Sequence, residues 1–239
     1  MITKNQIKRI LSLHQKKFRK QHNLFFVEGQ KSINEFLSSD MVLEELYTCK
    51  DNFKNIPNRF QISPAEMQKI SALSTNQDSL AVFQIKEPQP IDTSGLIVAL
   101  DQIRDPGNLG TIIRLCDWFG IKDLVCSYDT VDIYNPKVLQ ATMGSITRVN
   151  INYVDLEQFL EYQKNNIYGT FLSGDNIYTS NLSDRGIIVM GNEANGISPK
   201  IEHLINQKIT IPRFGTHTES LNVATATSIV LSEFKRRSL

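Results

Sequence analysis

Three short stretches of this chain carry polar side chains that packing alone does not call for. In GNLGTIIR (107–114), Asn108 and Arg114 follow the apolar run LIVAL and the turn DQIRDP. An asparagine offers both donor and acceptor, and a guanidinium is a fixed fork for an anion. A strand, a glycine-bearing turn and a helix together often cradle a phosphate. The stretch is nevertheless not GxGxxG, because Asn108 stands where a cofactor would have to approach the chain. No GK[ST] follows to make a Walker loop. A turn asparagine and an exposed arginine would account for it in purely structural terms. With a helix starting near Leu109, Arg114 leaves the Ile112/Leu115/Phe119 face and can point out of the core.

The second stretch, VMGNEANGIS (189–198), sets Gly191, Asn192 and Glu193 directly after the buried-strand pattern IIVM. In open α/β sheets ligands bind at the carboxyl ends of strands. A carboxylate held there can accept hydrogen bonds, orient a neighbour or cap loop amides. The third, ITIPRFGTHTESLNVATATSIVLSEF (209–234), ends a strand at Pro212 and opens a small-residue helix at Ser220-Leu221-Asn222. Ser220 is a reasonable N-cap. Asn222, placed in the first turn, is harder to explain, because asparagine is a poor helix former. All three stretches follow a predicted strand, and each carries a glycine and an asparagine. Together they predict one polar pocket at three strand ends, holding Asn108, Arg114, Glu193, Ser220 and Asn222.

The elements that must position these groups follow from hydrophobic periodicity. LIVAL, DLVCS, RVNINYV, YGTFLS, IIVM and KITIP read as strands, most of them separated by helical patterns. That alternation predicts a parallel sheet with helices on both faces. A long helix closes the chain from about Leu221 to Arg237. Upstream, LFFVEG, LEELYTC and SLAVFQI are strand-like, QKSINEFLSS is helical, and Ser63-Pro64-Ala65-Glu66 has the form of a capping box. This part reads as a small α/β layer fold. Between the halves, Pro88 and Pro90 in KEPQPIDTSG cannot donate ladder hydrogen bonds, so the segment is a linker or an edge crossing. The expected division is residues 1–87, a linker 88–94 and a second domain 95–239.

Bulk properties narrow the function further. The chain has 239 residues, 41% hydrophobic and 21% charged, with net charge +1. Whole-chain charge therefore does not point to nucleic acid. The first twenty residues do carry Lys4, Lys8, Arg9, Lys16, Lys17, Arg19 and Lys20 without an acid, a local basic patch whose plain reading is a solvated helix face. The three cysteines form no CxxC, and the four histidines show no paired spacing. Buried thiols in a reducing compartment are expected, with no disulfide frame and no metal. No apolar run is long enough to span a bilayer and nothing resembles a signal peptide, which reads as a cytoplasmic protein without membrane partners. A nucleotide-dependent oxidoreductase would need the missing GxGxxG and its ribose-binding acid.

DPGNLGTIIRLCDWFGI, IVMGNEANGIS and IPRFGTHTESLNVATATSIVLSEF resemble, in order and spacing, the three motifs of the SpoU (TrmH-like) family of RNA ribose 2′-O-methyltransferases, within the SPOUT superfamily. The match runs from about Gly95 to the end. FFVEGQKSINEFL is similar to the start of the substrate-binding domain of rRNA-directed members. The resemblance implies an α/β fold in which a parallel-sheet SPOUT domain, with a deep C-terminal trefoil knot, follows a small RNA substrate-binding domain. It implies S-adenosylmethionine as cofactor, held largely by backbone at Gly191, Ile211 and Leu221, and a homodimer with the active site at its interface. It assigns the functional positions to Asn108, Arg114, Glu193, Ser220 and Asn222. Asn108 and Asn222 would orient Arg114 and the ribose, and Glu193 would fix the loop or Arg114. Ser220 would bind the target phosphate or ribose. Arg114 would be a general base or, since guanidinium stays protonated, a phosphate clamp. RNA is the implied partner, ribosomal RNA before transfer RNA. Arg213 and His217, in the polar third loop, lie within reach of RNA on the same view.

Overall fold

A computed structural model describes residues 2–73, 77–216 and 220–237; His217 lies outside these. The chain divides into two compact units, Met1–Glu87 with Asp132–Thr147, and Pro88–Val131 with Arg148–Leu239.

The first unit opens with α1 (Lys4–Ser12), started by a capping box in which Thr3 and Gln6 bond reciprocally, and α2 (Lys16–His22), which ends at Asn23 in the left-handed conformation. Then come β1 (Leu24–Glu28), α3 (Gln30–Leu37), β2 (Leu43–Thr48), β3 (Arg59–Gln61), α4 (Pro64–Ile70) and β4 (Ser79–Gln84). The expected Ser63/Glu66 capping box starts α4. The strands form one sheet in the order β1-β4-β2-β3, antiparallel except for β2 with β3. Alternation along the strands splits the core. Phe26, Tyr47, Leu80 and Val82 meet Ile10 and Leu13 from the first helical segment and Met67 and Ile70 of α4. Phe25, Phe36 and Phe83 cluster separately, with Tyr134 at 4.5 Å from Phe25.

Two sequence expectations change here. The second domain was expected to run unbroken from residue 95, but Asp132–Thr147 packs with the first unit. Arg19, counted in the basic patch, is only 3% exposed. Its guanidinium pairs with Asp132 at 2.5 Å and donates to the carbonyls of Leu13 (2.8 Å) and His14 (3.0 Å). A buried arginine needs such a full set of acceptors.

The second unit begins with β5 (Leu96–Leu100), α5 (Pro106–Trp118) and β6 (Asp123–Ser127). After the segment carrying α6 (Pro136–Thr142), it resumes with β7 (Asn150–Val154), α7 (Leu156–Glu161), β8 (Ile167–Asn176), β9 (Gly186–Met190), α8 (Pro199–Glu202), β10 (Gln207–Thr210) and α9 (Val223–Arg236). The six strands form one sheet in the order β10-β8-β9-β5-β6-β7, and every pairing is parallel. All carboxyl ends therefore share one edge. β5, β6 and β9 are buried along their whole length, as continuous apolar runs should be when helices cover both faces. Ile97, Ala99, Ile187 and Val189 pack with Leu156 and Leu160 of α7 and Ile201 of α8. On the other face Phe234 of α9 meets Tyr168 edge-on at 4.9 Å. Each such fully buried side chain contributes roughly 1.5–3 kcal/mol.

The 88–94 segment is an edge crossing. The Gln89 N–H donates to Asn150 Oδ1, and the amides of Asn150 and Asn152 donate back to the Gln89 carbonyl, along the edge strand β7.

Candidate active site

The strand order reverses direction between β5 and β9. β6 and β7 follow β5 to one side, whereas β8 and β10 lie beyond β9 on the other. Such a switch point opens a crevice at the carboxyl edge. Two of the three loops picked out by sequence leave the sheet at this point, Asp101–Asp105 from β5 and Gly191–Ser198 from β9.

The β5 loop turns sharply at Gln102, which has φ +59°. A non-glycine residue there stores strain, and hydrogen bonds on both sides of the peptide offset it. The Gln102 N–H donates to Ser127 Oγ at 2.9 Å and its carbonyl accepts from Asn192 Nδ2 at 2.7 Å. α5 then starts at Pro106, earlier than the expected Leu109, because Asp105 caps it by accepting the Asn108 N–H at 2.8 Å. Leu109, Ile112, Ile113 and Cys116 supply its buried face. Leu115 and Phe119, expected there, are only half-buried.

The β9 loop closes on itself. The N–H groups of Asn192 and Gly196 each bond the other's carbonyl at 2.9 Å, and Asn192 Oδ1 accepts the N–H groups of Ala194 and Asn195. A Cβ on Gly191 would lie 2.3 Å from the backbone of Gly196 and Ile197. The missing side chain at Gly191 thus serves the loop's own closure. Buried Asp101 holds the far end by accepting the Ser198 N–H at 2.7 Å.

The third loop supplies Asn222, and here the sequence expectation is corrected. Asn222, rather than Ser220, caps α9, its Oδ1 accepting the N–H groups of Ala224 (2.9 Å) and Thr225 (3.3 Å). Asparagine is a strong cap and a weak interior residue, so the difficulty of placing it inside the helix disappears. Its Nδ2 donates to Asn108 Oδ1 at 2.8 Å, and Asn108 Nδ2 donates to Glu193 Oε1 at 3.0 Å. The direction is dictated from both ends. The α9 amides can only donate and a carboxylate can only accept, so each asparagine must present its carbonyl backward and its NH₂ forward. Glu193 Oε1 also takes the Asp105 N–H at 3.4 Å, and Asn192 Nδ2 lies 3.4 Å from Oε2. One chain of hydrogen bonds therefore joins all three loops and ends on a carboxylate.

Arg114 stands outside that chain. It is exposed on α5, and its side chain makes no hydrogen bond or ion pair with another described residue. Neither asparagine orients it, and Glu193 is engaged with Asn108 instead. Ser220 is exposed and likewise outside the chain of bonds. Of the three backbone positions, Gly191 and Ile211 directly follow β9 and β10, and Leu221, 48% exposed, directly precedes the Asn222 cap. Among the described residues, Ile211, Phe214, Gly215 and Leu221 make no backbone–backbone hydrogen bond. Main-chain groups at the end of a strand and at a helix entrance suit a ligand held by backbone.

Asn192, Asp101 and Gln102 were missed as site residues. Asn192 was visible beside Glu193, but the carbonyl it grips belongs to a residue 90 positions away.

Residues 95–232 match the family model described as the SpoU rRNA Methylase family, and residues 4–81 match one described as an MRM3-like substrate binding domain. The chain belongs to the SpoU rRNA methylase family. It is 29% identical over 240 residues to the Bacillus subtilis 23S rRNA (guanosine(2553)-2′-O)-methyltransferase RlmP, covering 95% of each chain. A putative RNA methyltransferase of the TrmH family from Porphyromonas gingivalis shares its fold at TM-score 0.90 and 34% identity, over 99% of both chains. An AdoMet-bound rRNA methyltransferase from Sinorhizobium meliloti superposes at TM-score 0.88 with 27% identity, covering 100% of this SpoU-family chain and 97% of that one.

Proposed function

We propose that this chain transfers a methyl group from S-adenosylmethionine to a ribose 2′-hydroxyl of RNA, and that its substrate is ribosomal rather than transfer RNA. The observation that carries the reading is the Asn222–Asn108–Glu193 chain of bonds across the switch point, in a member of the SpoU family. Likeness to rRNA methyltransferases along nearly the whole length, first unit included, supports the ribosomal substrate.

The residues present fit the cofactor. Gly191, Ile211 and Leu221 offer main-chain groups at two strand ends and a helix entrance, where a nucleoside and an amino-acid moiety could be held largely by backbone. When bound, the cofactor supplies an electrophilic methyl group on a sulfonium. Bound there, it would give that methyl group to the 2′ oxygen and leave as a neutral thioether, with the hydroxyl proton going to solvent. Such a transfer would depend on alignment, so positioning would carry much of the rate. Asn108 and Asn222 hold the loops that define that alignment, and Glu193 anchors them. Arg114, permanently charged, clamps the phosphate beside the target ribose and stabilises negative charge growing on the 2′ oxygen. Ser220 adds a hydroxyl for phosphate or ribose. An unpartnered Arg114 fits a site completed by substrate and by a second copy of the chain. The enzyme works as a homodimer in the cytoplasm, and its C-terminal segment is threaded as a trefoil knot. Among the described residues no helix is long and apolar enough to cross a membrane.

The test is methyl transfer from labelled S-adenosylmethionine to ribosomal RNA lacking its natural modifications, followed by mapping of 2′-O-methyl positions. A single labelled ribose is expected. Labelling of transfer RNA with ribosomal RNA untouched would overturn the substrate assignment.

A further inference from the structure

The cations of the N-terminal helices divide by residue type. No aspartate or glutamate occurs before Glu28. The two arginines turn to internal acceptors, Arg9 to Glu45 and Arg19 to Asp132 and two carbonyls. The lysines stay outside. Lys4, Lys8, Lys16, Lys17 and Lys20 are all exposed. Lys4, Lys8, Lys17 and Lys20 make no ion pair with a described residue.

Helix geometry brings Lys16, Lys17 and Lys20 onto one face of α2, with Arg19 on another. By gripping the carbonyls of Leu13 and His14 at the α1–α2 turn, Arg19 fixes which face is turned outward. On the adjoining face Phe18 and His22 lie with rings nearly parallel, 17° apart, at a centroid distance of 6.4 Å, and Lys17 Nζ sits 5.8 Å from the Phe18 ring. Exposed lysines beside a half-buried phenylalanine and an exposed histidine ring are the chemistry of a nucleic-acid contact. Lysine supplies point charges for phosphates, and rings stack on unpaired bases.

We propose that the lysine face of α2, continued by Lys4 and Lys8, is the surface on which this protein docks the phosphate backbone of its RNA substrate, with the Phe18–His22 pair taking an unpaired base at its edge. The proposal rests on RNA being the substrate. It assigns the contact to one helix face within the first unit, and it makes Arg19 a positioning residue for that face.

The experiment uses the full-length chain with Lys16→Ala, Lys17→Ala and Lys20→Ala combined, and a companion carrying arginine at the same positions. Binding to a ribosomal RNA fragment is measured over a range of salt, beside steady-state methylation. The alanine variant should raise the KM for RNA by roughly 10–100-fold and flatten the log–log salt slope by about 2–3, since each lost phosphate contact removes about 0.9. Its kcat at saturating RNA and its affinity for S-adenosylmethionine should stay unchanged, and the arginine variant should recover the slope. His22→Ala should weaken binding to RNA with an unpaired base more than to plain duplex. An unaltered KM and salt slope in the alanine variant would overturn the proposal. So would loss of binding to phosphatidylserine vesicles with RNA binding intact, which would mark the face as a membrane contact. If the wild type methylates no ribosomal RNA while the slope still falls, the substrate reading fails and the docking face stands.

Discussion

Asn108 and Arg114 lie on the same helix, α5, less than two turns apart, and their surroundings are opposite. Asn108 uses its side-chain carbonyl and its NH₂ within the chain, between Asn222 and Glu193. Arg114 has no partner among the described residues. Folding thus satisfies one of the two side chains and leaves the other open to solvent. A group satisfied by folding contributes to stability as well as to function. A group left open contributes to function alone, since nothing is lost from the folded state when it is removed.

That contrast can be broken most sharply at Arg114. Arg114→Ala should lower kcat by roughly 10²–10³, as for loss of one donor to a developing oxyanion, with no change in thermal midpoint. A fall in the midpoint would show that Arg114 has a structural partner after all. Asn108→Ala should cost roughly 100-fold in activity through misplacement of reacting groups. It should also destabilise the fold by about 0.5–1.5 kcal/mol, because it removes the two hydrogen bonds to Glu193 and Asn222, whose exposed groups then turn to water. Denaturant titration beside the assay checks the pairing of the two losses, and an inactive variant of unchanged stability would refute it. A smaller effect is expected from Asn222→Asp, which keeps the α9 cap but sets an acceptor against Asn108 Oδ1. The loss should be on the order of tenfold in activity with helix content unchanged, a hydrogen bond being worth roughly 1.5 kcal/mol at most.

The smallest effect lies at the other end of α9. Hydrogen bonds from Arg236 first, then Arg237, bring Glu233 from its ordinary 4.5 down to about 2, against the opposing effect of its burial. Arg237 also donates to the carbonyls of Ser180, Ile177 and Tyr178, tying the helix end to the loop after β8. Because the folded-state value is depressed, the stabilisation is present above about pH 4.5 and is lost as pH falls from there toward 2. Glu233→Gln should flatten the pH dependence of thermal stability in that window and leave activity at neutral pH unchanged.

The central strands of the second unit are legible in the sequence because each is a short, buried run bounded by turn residues, and β5, β6 and β9 lie within a residue or so of where the pattern puts them. Hydrophobic periodicity does not mark the helix at Pro136–Thr142, although Asn135 caps it and Pro136 opens it. Its apolar residues, Val138 and Leu139, are few, and what they pack against lies in the first unit. Ser220 and Asn222 are both acceptable α9 caps by sequence, because hydroxyl and amide side chains can each accept the first helical amides. Only the backbone shows that Asn222 is the last extended residue before the helix, with ψ 138°.

Residue order alone specified the parallel α/β class, the three polar loops and all five side chains proposed for the site, because periodicity and loop chemistry are local properties. Which of those side chains bond to one another was decided by the fold. Asn108, Glu193 and Asn222 are 85 and 114 positions apart along the chain, and they meet only where β5 and β9 run side by side and α9 returns to α5. The fate of Arg19 was settled in the same way, by an aspartate 113 residues downstream. A charged side chain carries no local sign of whether its counter-ion lies in solvent, in a substrate or across the fold.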